Sequence, residues 1–186
     1  MSSLNAVIFQ FIHQFAGRYP LLDDLGIFFA QWLAYALVIG FLVLVLGQGS
    51  SRRKLYLFAE GALGIILARG ILTTAISFFY NIQRPFAFYG FTPLIGASGS
   101  SFPSGHAAWF FALAMAAWYA DRKWGVWYFA LATLMGIARI YAGVHWPLDI
   151  LAGAAIGVAS GMFVHWLFKP YAAAIGRSLP GPLAAS

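Results

Sequence analysis

Long apolar runs separated by short polar gaps constrain this chain more than any other feature of its sequence. A helix of about 20 apolar residues covers the hydrocarbon core of a bilayer, and several runs here approach or exceed that length. Composition agrees, with 62% of the 186 residues hydrophobic and 9% charged, against roughly 25% charged in an ordinary soluble domain. The chain is therefore expected to be an all-α integral membrane protein. It reads as one domain over residues 1–186, with an interfacial amphipathic helix in 1–20 and a bundle of about five transmembrane helices in 25–168. No repeat at solenoid spacing interrupts that reading.

Eleven Lys and Arg stand against five Asp and Glu. Such an excess suits nucleic acid, but most of the bases fall in short gaps between apolar runs, the pattern that orients a membrane protein. No nucleic-acid partner is expected. The absence of cysteine excludes disulfides, thiolate metal ligands and a cysteine nucleophile. The first twenty residues lack the basic start, short apolar core and small-residue cleavage site of a signal peptide, so the mature protein is expected to begin at or near Met1.

Residues 3–16 place Leu4, Val7, Ile8, Phe11, Ile12 and Phe15 at spacings of one, three and four, with Asn5, Gln10, His13 and Gln14 elsewhere. This predicts an amphipathic helix too short to span, lying in the interface or against the bundle, with His13 as a polar surface residue. Asp23 and Asp24 are placed to accept the free amides that open the first span, residues 25–47. Arg52, Arg53 and Lys54 form the densest basic cluster and read as part of a cytoplasmic loop, 47–54. The second span, residues 55–80, contains Glu60 and Arg69. Roughly 13 Å of helix separates them, so their partners are sought on neighbouring helices or, for Glu60, near the basic interface.

Residues 81–103 hold Pro85, Pro93 and Pro103 with several glycines and aromatics, which breaks helical continuity. Phe86, Phe88, Tyr89 and Phe91 read as a lipid-facing rim or as interfacial anchors. The third span runs from Pro103 to Ala120, the fourth from Trp124 to Tyr141, and the fifth from Asp149 to Phe168, before Lys169-Pro170. Gly153, Gly157 and Gly161 share one face of the last helix and predict close packing. His165, near its far end, reads as structural. Counting crossings from a cytoplasmic Arg52–Lys54 makes Asp121–Lys123 and the tail with Lys169 and Arg177 cytoplasmic too. Three polar clusters then emerge together on the external face: Arg84-Pro85, Pro103-Ser104-Gly105-His106, and Arg139 through His145 to Asp149.

Those clusters carry the chemistry. His145 and Asp149 are four residues apart, so the carboxylate is placed to accept the proton on one imidazole nitrogen and leave the other free to attack phosphorus. Ser104, Gly105 and His106 open a helix, where unpaired amides and the dipole favour phosphate oxygens, and Ser104 adds a hydroxyl. His106 is placed to protonate the leaving oxygen and then to activate water. Arg84 and Arg139 offer multi-donor contacts to phosphoryl oxygens. The array suits phosphoryl transfer, which depends on positioning and on stabilising charge.

Over about residues 25–168 this pattern resembles the type 2 phosphatidic acid phosphatase (PAP2) superfamily of integral-membrane lipid phosphatases, particularly its short bacterial members that look like undecaprenyl-diphosphate phosphatases. The first motif of that family is a basic residue, six others, then Arg-Pro; Arg84-Pro85 matches, while Ser77 occupies the basic position. The second motif matches in full at Pro103-Ser104-Gly105-His106. In the third, Ala138 stands where a serine normally precedes the arginine, and Arg139, His145 and Asp149 match. Arg69 is a nearby cation able to compensate for Ser77. The resemblance implies a metal-independent histidine nucleophile, no cofactor, and a multi-pass protein of the bacterial inner (plasma) membrane whose site faces the periplasm or cell exterior.

The implied substrate is undecaprenyl diphosphate, with phosphatidylglycerophosphate or phosphatidate as the nearest alternatives. Other classes stay open: a helical scaffold, a lipid-phosphate binding or transport protein, a serine hydrolase built on Ser104 with His106 or His145, and a zinc site of His106, His145 and Asp149. Two arginines oppose the zinc site, and the serine hydrolase leaves them unused. Expected partners are an amphiphilic lipid phosphate or diphosphate and membrane lipids. No feature of the sequence prescribes an oligomer.

Overall fold

The computed structural model describes residues 3–175. Helix α1 covers Ser3–His13, and its faces divide in a way the apolar spacing does not anticipate. Phe9 is fully buried and Asn5 nearly so, whereas Leu4, Val7, Ile8, Phe11 and Phe15 are exposed. The apolar stripe therefore points away from the protein, as suits a helix lying in the membrane interface. Phe9 fastens the other face by packing with Ile140, Trp146 and Ile150. His13 is only partly exposed: it stacks on Phe91 at 4.5 Å, and its Nδ1 lies 2.7 Å from the Tyr141 carbonyl.

Helix α2 runs over Pro20–Leu46 and begins before the expected residue 25. Pro20 sits in the first turn, where its missing N–H leaves no bond unmade. Asp23 and Asp24 consequently lie within the helix and do not cap it. Asp23 instead accepts from the Gly17 amide at 3.0 Å and from the Tyr141 hydroxyl at 2.6 Å, closing the turn at Gly17, whose φ of 76° favours glycine.

Helix α3, Ser51–Phe79, also starts earlier than expected. The Ser50 hydroxyl accepts from the Arg53 amide at 3.3 Å, so Arg52, Arg53 and Lys54 form the first helical turn and not a loop. Each of these two long helices contains a widened, π-helical stretch: Phe28–Trp32 in α2 and Ile66–Thr73 in α3. In the second, the Thr73 hydroxyl donates to the Ala68 carbonyl at 2.7 Å and Thr74 to Arg69 at 3.1 Å. These bonds satisfy carbonyls that a wide turn leaves short of partners.

Helix α4 is a single short segment, Pro85–Tyr89, within the broken stretch the prolines predict. The Phe102–Pro103 peptide is cis. Helix α5, Gly105–Ala120, is followed at once by α6, Arg122–Tyr141. Asp121 joins them by accepting from the amides of Lys123 and Trp124, at 2.8 and 3.2 Å, so α6 starts two residues before the expected Trp124. Helix α7, Pro147–Ile175, continues through Pro170 and past the expected end at Phe168. Proline removes one backbone bond there, and the turns on either side carry the helix on. Arg177 lies outside the described residues.

By length and composition, α2, α3 and residues Pro147–Tyr171 of α7 are apolar enough to cross a membrane. Helix α5 is the bundle's interior: Phe110, Leu113 and Ala117 are all fully or almost fully buried, against Leu37 and Phe41 of α2, Leu57 of α3, and Tyr128 and Met135 of α6. Helix α7 lies directly on α5 because Gly153, Gly157 and Gly161 face Ser104, Ala108 and Met115 at distances that leave no room for a Cβ. Glu60 is buried, with its partner on another helix: His165 Nδ1 at 2.6 Å. Tyr119 stacks on that ring at 3.5 Å.

Candidate active site

The end of α3, the starts of α5 and α7 and the end of α6 meet at one end of the bundle. Backbone bonds lock them together: Ser101 N to Ile82 O at 2.8 Å, Phe86 N to Gly143 O at 3.2 Å, and Ser104 N to Asp149 O at 2.9 Å. The connection from α6 to α7 turns at Gly143, φ 83°, and delivers His145 just before α7 opens with Asp149 in its first turn.

His145 is almost wholly buried. Its Nδ1 lies 3.4 Å from Asp149 Oδ2. That oxygen also accepts from the Trp146 amide at 2.8 Å and from the Ser101 hydroxyl in a short bond. Two fixed donors thus aim the carboxylate at Nδ1, which carries the imidazole proton and leaves Nε2 as the lone-pair nitrogen. Burial pushes His145 down to about 4; the Asp149 hydrogen bond opposes this, and Arg139 and Arg84 add to it. The imidazole is therefore neutral at physiological pH, and its link to Asp149 is a hydrogen bond, not an ion pair.

Arg84 spends its donors on the backbone around it. Nε donates to Gly99 O at 3.1 Å, one terminal nitrogen to Val144 O at 2.8 Å, and the other to Ser98 O and Ser100 O at 2.9 and 3.0 Å. The first terminal nitrogen also approaches His145 Nε2 at 3.5 Å. Burial lowers the Arg84 pKa from its ordinary value, with Asp149 opposing. Arg84 thereby shapes the 98–100 loop and faces the Nε2 nitrogen of His145 at once.

Arg139 is buried near the end of α6 and donates to the Ala30 carbonyl, 3.0 Å away in the π-helical stretch of α2. Its Nε finds no partner among the described residues. A buried orphan donor costs about 1–3 kcal/mol unless something accepts from it.

A cavity of about 350 Å³ collects these groups. Arg69, Arg84, Arg139, His106, His145 and Gly105 all line it, with Ser77 and Ser100 on its walls. Among the described residues no Asp or Glu side chain lines it, so the wall is built for an anion. Ser104 has a different place: it is fully buried, its amide is bonded to Asp149 O, and its hydroxyl accepts from the Ala107 amide at 3.4 Å as the cap of α5. The Ser77 hydroxyl donates to Phe102 O at 3.1 Å and so braces the loop into α5. A second cavity, about 460 Å³, shares Gly96, His106 and Arg139 with the first and runs between α2 and α5 past Trp32, Tyr35, Val38 and Trp109. A largely apolar groove thus adjoins the polar cavity.

Three supporting residues have no motif to announce them. Ser101, in a run of small polar residues, holds Asp149. Asn5 accepts from the Leu148 amide at 3.0 Å, next to Asp149, while Phe9 packs on Trp146 with ring centroids 5.1 Å apart.

The sequence model described as the PAP2 superfamily matches residues 59–172. The chain is 33% identical over 167 residues to the bacitracin transport permease protein BcrC of Bacillus licheniformis, covering 89% of this chain and 81% of that one. It is 29% identical to undecaprenyl-diphosphatase BcrC of Bacillus subtilis, covering 85% and 81%. Among solved structures, Aquifex aeolicus LpxE superposes with a TM-score of 0.72 at 30% identity, covering 88% of this chain and 95% of that one.

Proposed function

This chain belongs to the PAP2 superfamily of membrane phosphatases, and from that premise we propose that it hydrolyses undecaprenyl diphosphate to undecaprenyl phosphate and phosphate through a phosphohistidine at His145. It is a multi-pass membrane enzyme acting on lipid phosphates. The observation that carries the mechanistic reading is the His145 ring: Nδ1 tied to Asp149, and Nε2 turned toward Arg84 in a cavity that no carboxylate of the described residues lines.

In the proposed reaction Nε2 attacks phosphorus and the bond to the bridging oxygen breaks. His106 supplies a proton to the leaving lipid oxygen, and Asp149 offsets the positive charge of the phosphorylated imidazole. Water then attacks phosphorus and gives a proton to His106; the P–N bond breaks, releasing phosphate and neutral His145. Arg84, Arg139 and the helix start at Ser104-Gly105 stabilise the oxygens as charge builds. Ser104 acts through its place in that turn, because its own amide and hydroxyl are engaged. Arg69, packed against Gly105, and Ser77 line the same cavity as accessory groups. No metal takes part: three guanidinium groups around the cavity repel a cation.

The substrate assignment draws on the name of the B. subtilis relative and on the apolar groove beside the phosphate cavity. We place five crossings by adding α5 and α6, 16 and 20 residues, or about 24 and 30 Å of helix. Arg52–Lys54, Arg122–Lys123 and Lys169 cluster at the end away from the cavity, which supports a site facing the periplasm or cell exterior. The B. licheniformis relative carries a transporter's name, so binding without cleavage is the competing reading. Phosphate release from undecaprenyl diphosphate, phosphatidylglycerophosphate and phosphatidate, by wild type and His145→Ala in excess chelator, tests all of this. Fastest release from the first, lost in the variant, is expected; release from none is the result that defeats the proposal.

A further inference from the structure

Resting on that reading, we infer that Arg69 holds the second phosphoryl group of a diphosphate, and so makes the site prefer diphosphate to monophosphate lipids. Three arginines line one cavity, and they differ in how far the protein has already claimed them. Each N–H of Arg84 points at a carbonyl or at His145. Arg139 gives one N–H to the Ala30 carbonyl, and its buried Nε has no partner among the described residues. The Arg69 guanidinium makes no hydrogen bond or ion pair to any described residue, and it lies across Gly105, where even a Cβ would overlap its Nε, Cδ and Cζ.

A charge on a membrane helix is costly unless it snorkels, pairs or serves a ligand, and the local structure holds this one at the cavity wall. Arg69 lies in the middle of the π-helical stretch, which the Thr73 and Thr74 hydroxyls brace by bonding the carbonyls of Ala68 and Arg69. Those hydroxyls are used in bracing, so the guanidinium is the group on this face with donors to spare. The phosphoryl group at His145 meets Arg84, Arg139 and His106. Its neighbour in a diphosphate carries further charge, and Arg69, against Gly105 on the wall formed by α3, is the cation left to receive it.

The test uses farnesyl diphosphate and farnesyl monophosphate, which share a tail and differ by one phosphoryl group, with the full-length enzyme in detergent. The readout is the ratio of kcat/KM for diphosphate over monophosphate. Arg69→Gln is expected to lower that ratio by about 10- to 100-fold, and Arg69→Lys, which keeps the charge, by less. Thermal unfolding of each variant separates lost folding from lost recognition. A ratio that stays at the wild-type value in folded Arg69→Gln, whether both rates fall together or neither does, overturns the inference. So does an Arg69→Lys enzyme as impaired as Arg69→Gln. Neither outcome touches the proposed function, which fails instead if wild type releases phosphate from no lipid or if His145→Ala does so as fast as wild type.

Discussion

A terminal nitrogen of Arg84 stands 3.5 Å from Nε2 of His145. A guanidinium carries only donors, so the ring nitrogen facing it is the unprotonated one. The same pair puts a fixed positive charge next to the place where a phosphoryl oxygen would sit during attack. Its consequences are experimental.

Asp149→Asn removes the carboxylate that offsets charge on the ring and weakens control of the tautomer. We expect kcat to fall by about 100- to 10,000-fold, with the fold retained. Ser101→Ala, which leaves the Trp146 amide on Asp149, should cost about 10-fold in kcat with little change in KM. Steady-state kinetics of both variants check this; a Ser101→Ala enzyme changed only in KM would show that Ser101 does not act through the carboxylate.

The pH dependence has a definite sign. Burial holds His145 down to about 4, and protonation removes the attacking lone pair. The contribution of His145 to kcat/KM should therefore be fully present at neutral pH and be lost as pH falls through about 4, not near the ordinary histidine value of about 6.5. Asp149 raises this pKa, so Asp149→Asn should move the limb to still lower pH. A pH profile with a soluble short-tail substrate measures both.

Helix α1 reaches the site from behind. Asn5 bonds the Leu148 amide and Phe9 packs on Trp146, so both bear on the segment that carries His145. Asn5→Leu should reduce kcat by about 3- to 10-fold without changing KM, and Asn5→Asp, which keeps an acceptor, should recover most of the loss.

The seam between α5 and α7 should tolerate no added carbon. A methyl group at Gly157 would meet the Ala108 carbonyl, the Phe111 Cβ and the Ala112 amide. Gly157→Ala is expected to destabilise the bundle by about 1–3 kcal/mol, seen as earlier thermal unfolding in detergent. Gly49→Ala, with nothing near its would-be methyl, serves as the unaffected control.

Much of this site was legible because lipid-facing sequence makes polar residues conspicuous. Arg84, His106, Arg139, His145 and Asp149 are rare charges and rings between apolar runs, and the count of crossings brings their clusters to one end. What stayed hidden depends on close packing. Nothing in the sequence tells Ser101 from Ser98 or Ser100, yet it alone of the three bonds Asp149. The partner of Arg139 is a backbone carbonyl in a π-helical stretch, and carbonyls have no sequence signature. The apolar spacing of α1 marked the stripe that turns outward and passed over Asn5 and Phe9, because it weighed Leu, Val and Ile positions equally with no neighbour to face. Helix ends moved for similar reasons: Tyr19 and Ser50 open α2 and α3 where aspartates and a basic loop looked better suited.

The central claim is that His145 forms a bond to phosphorus. Rapid acid-free quenching of the enzyme with substrate radiolabelled at the terminal phosphate, followed by peptide mapping, tests it directly. The account predicts transient label on His145, stable to base, lost in acid, and absent from His145→Ala, which should release no phosphate. Undiminished phosphate release by His145→Ala, or label carried by another residue, would contradict it.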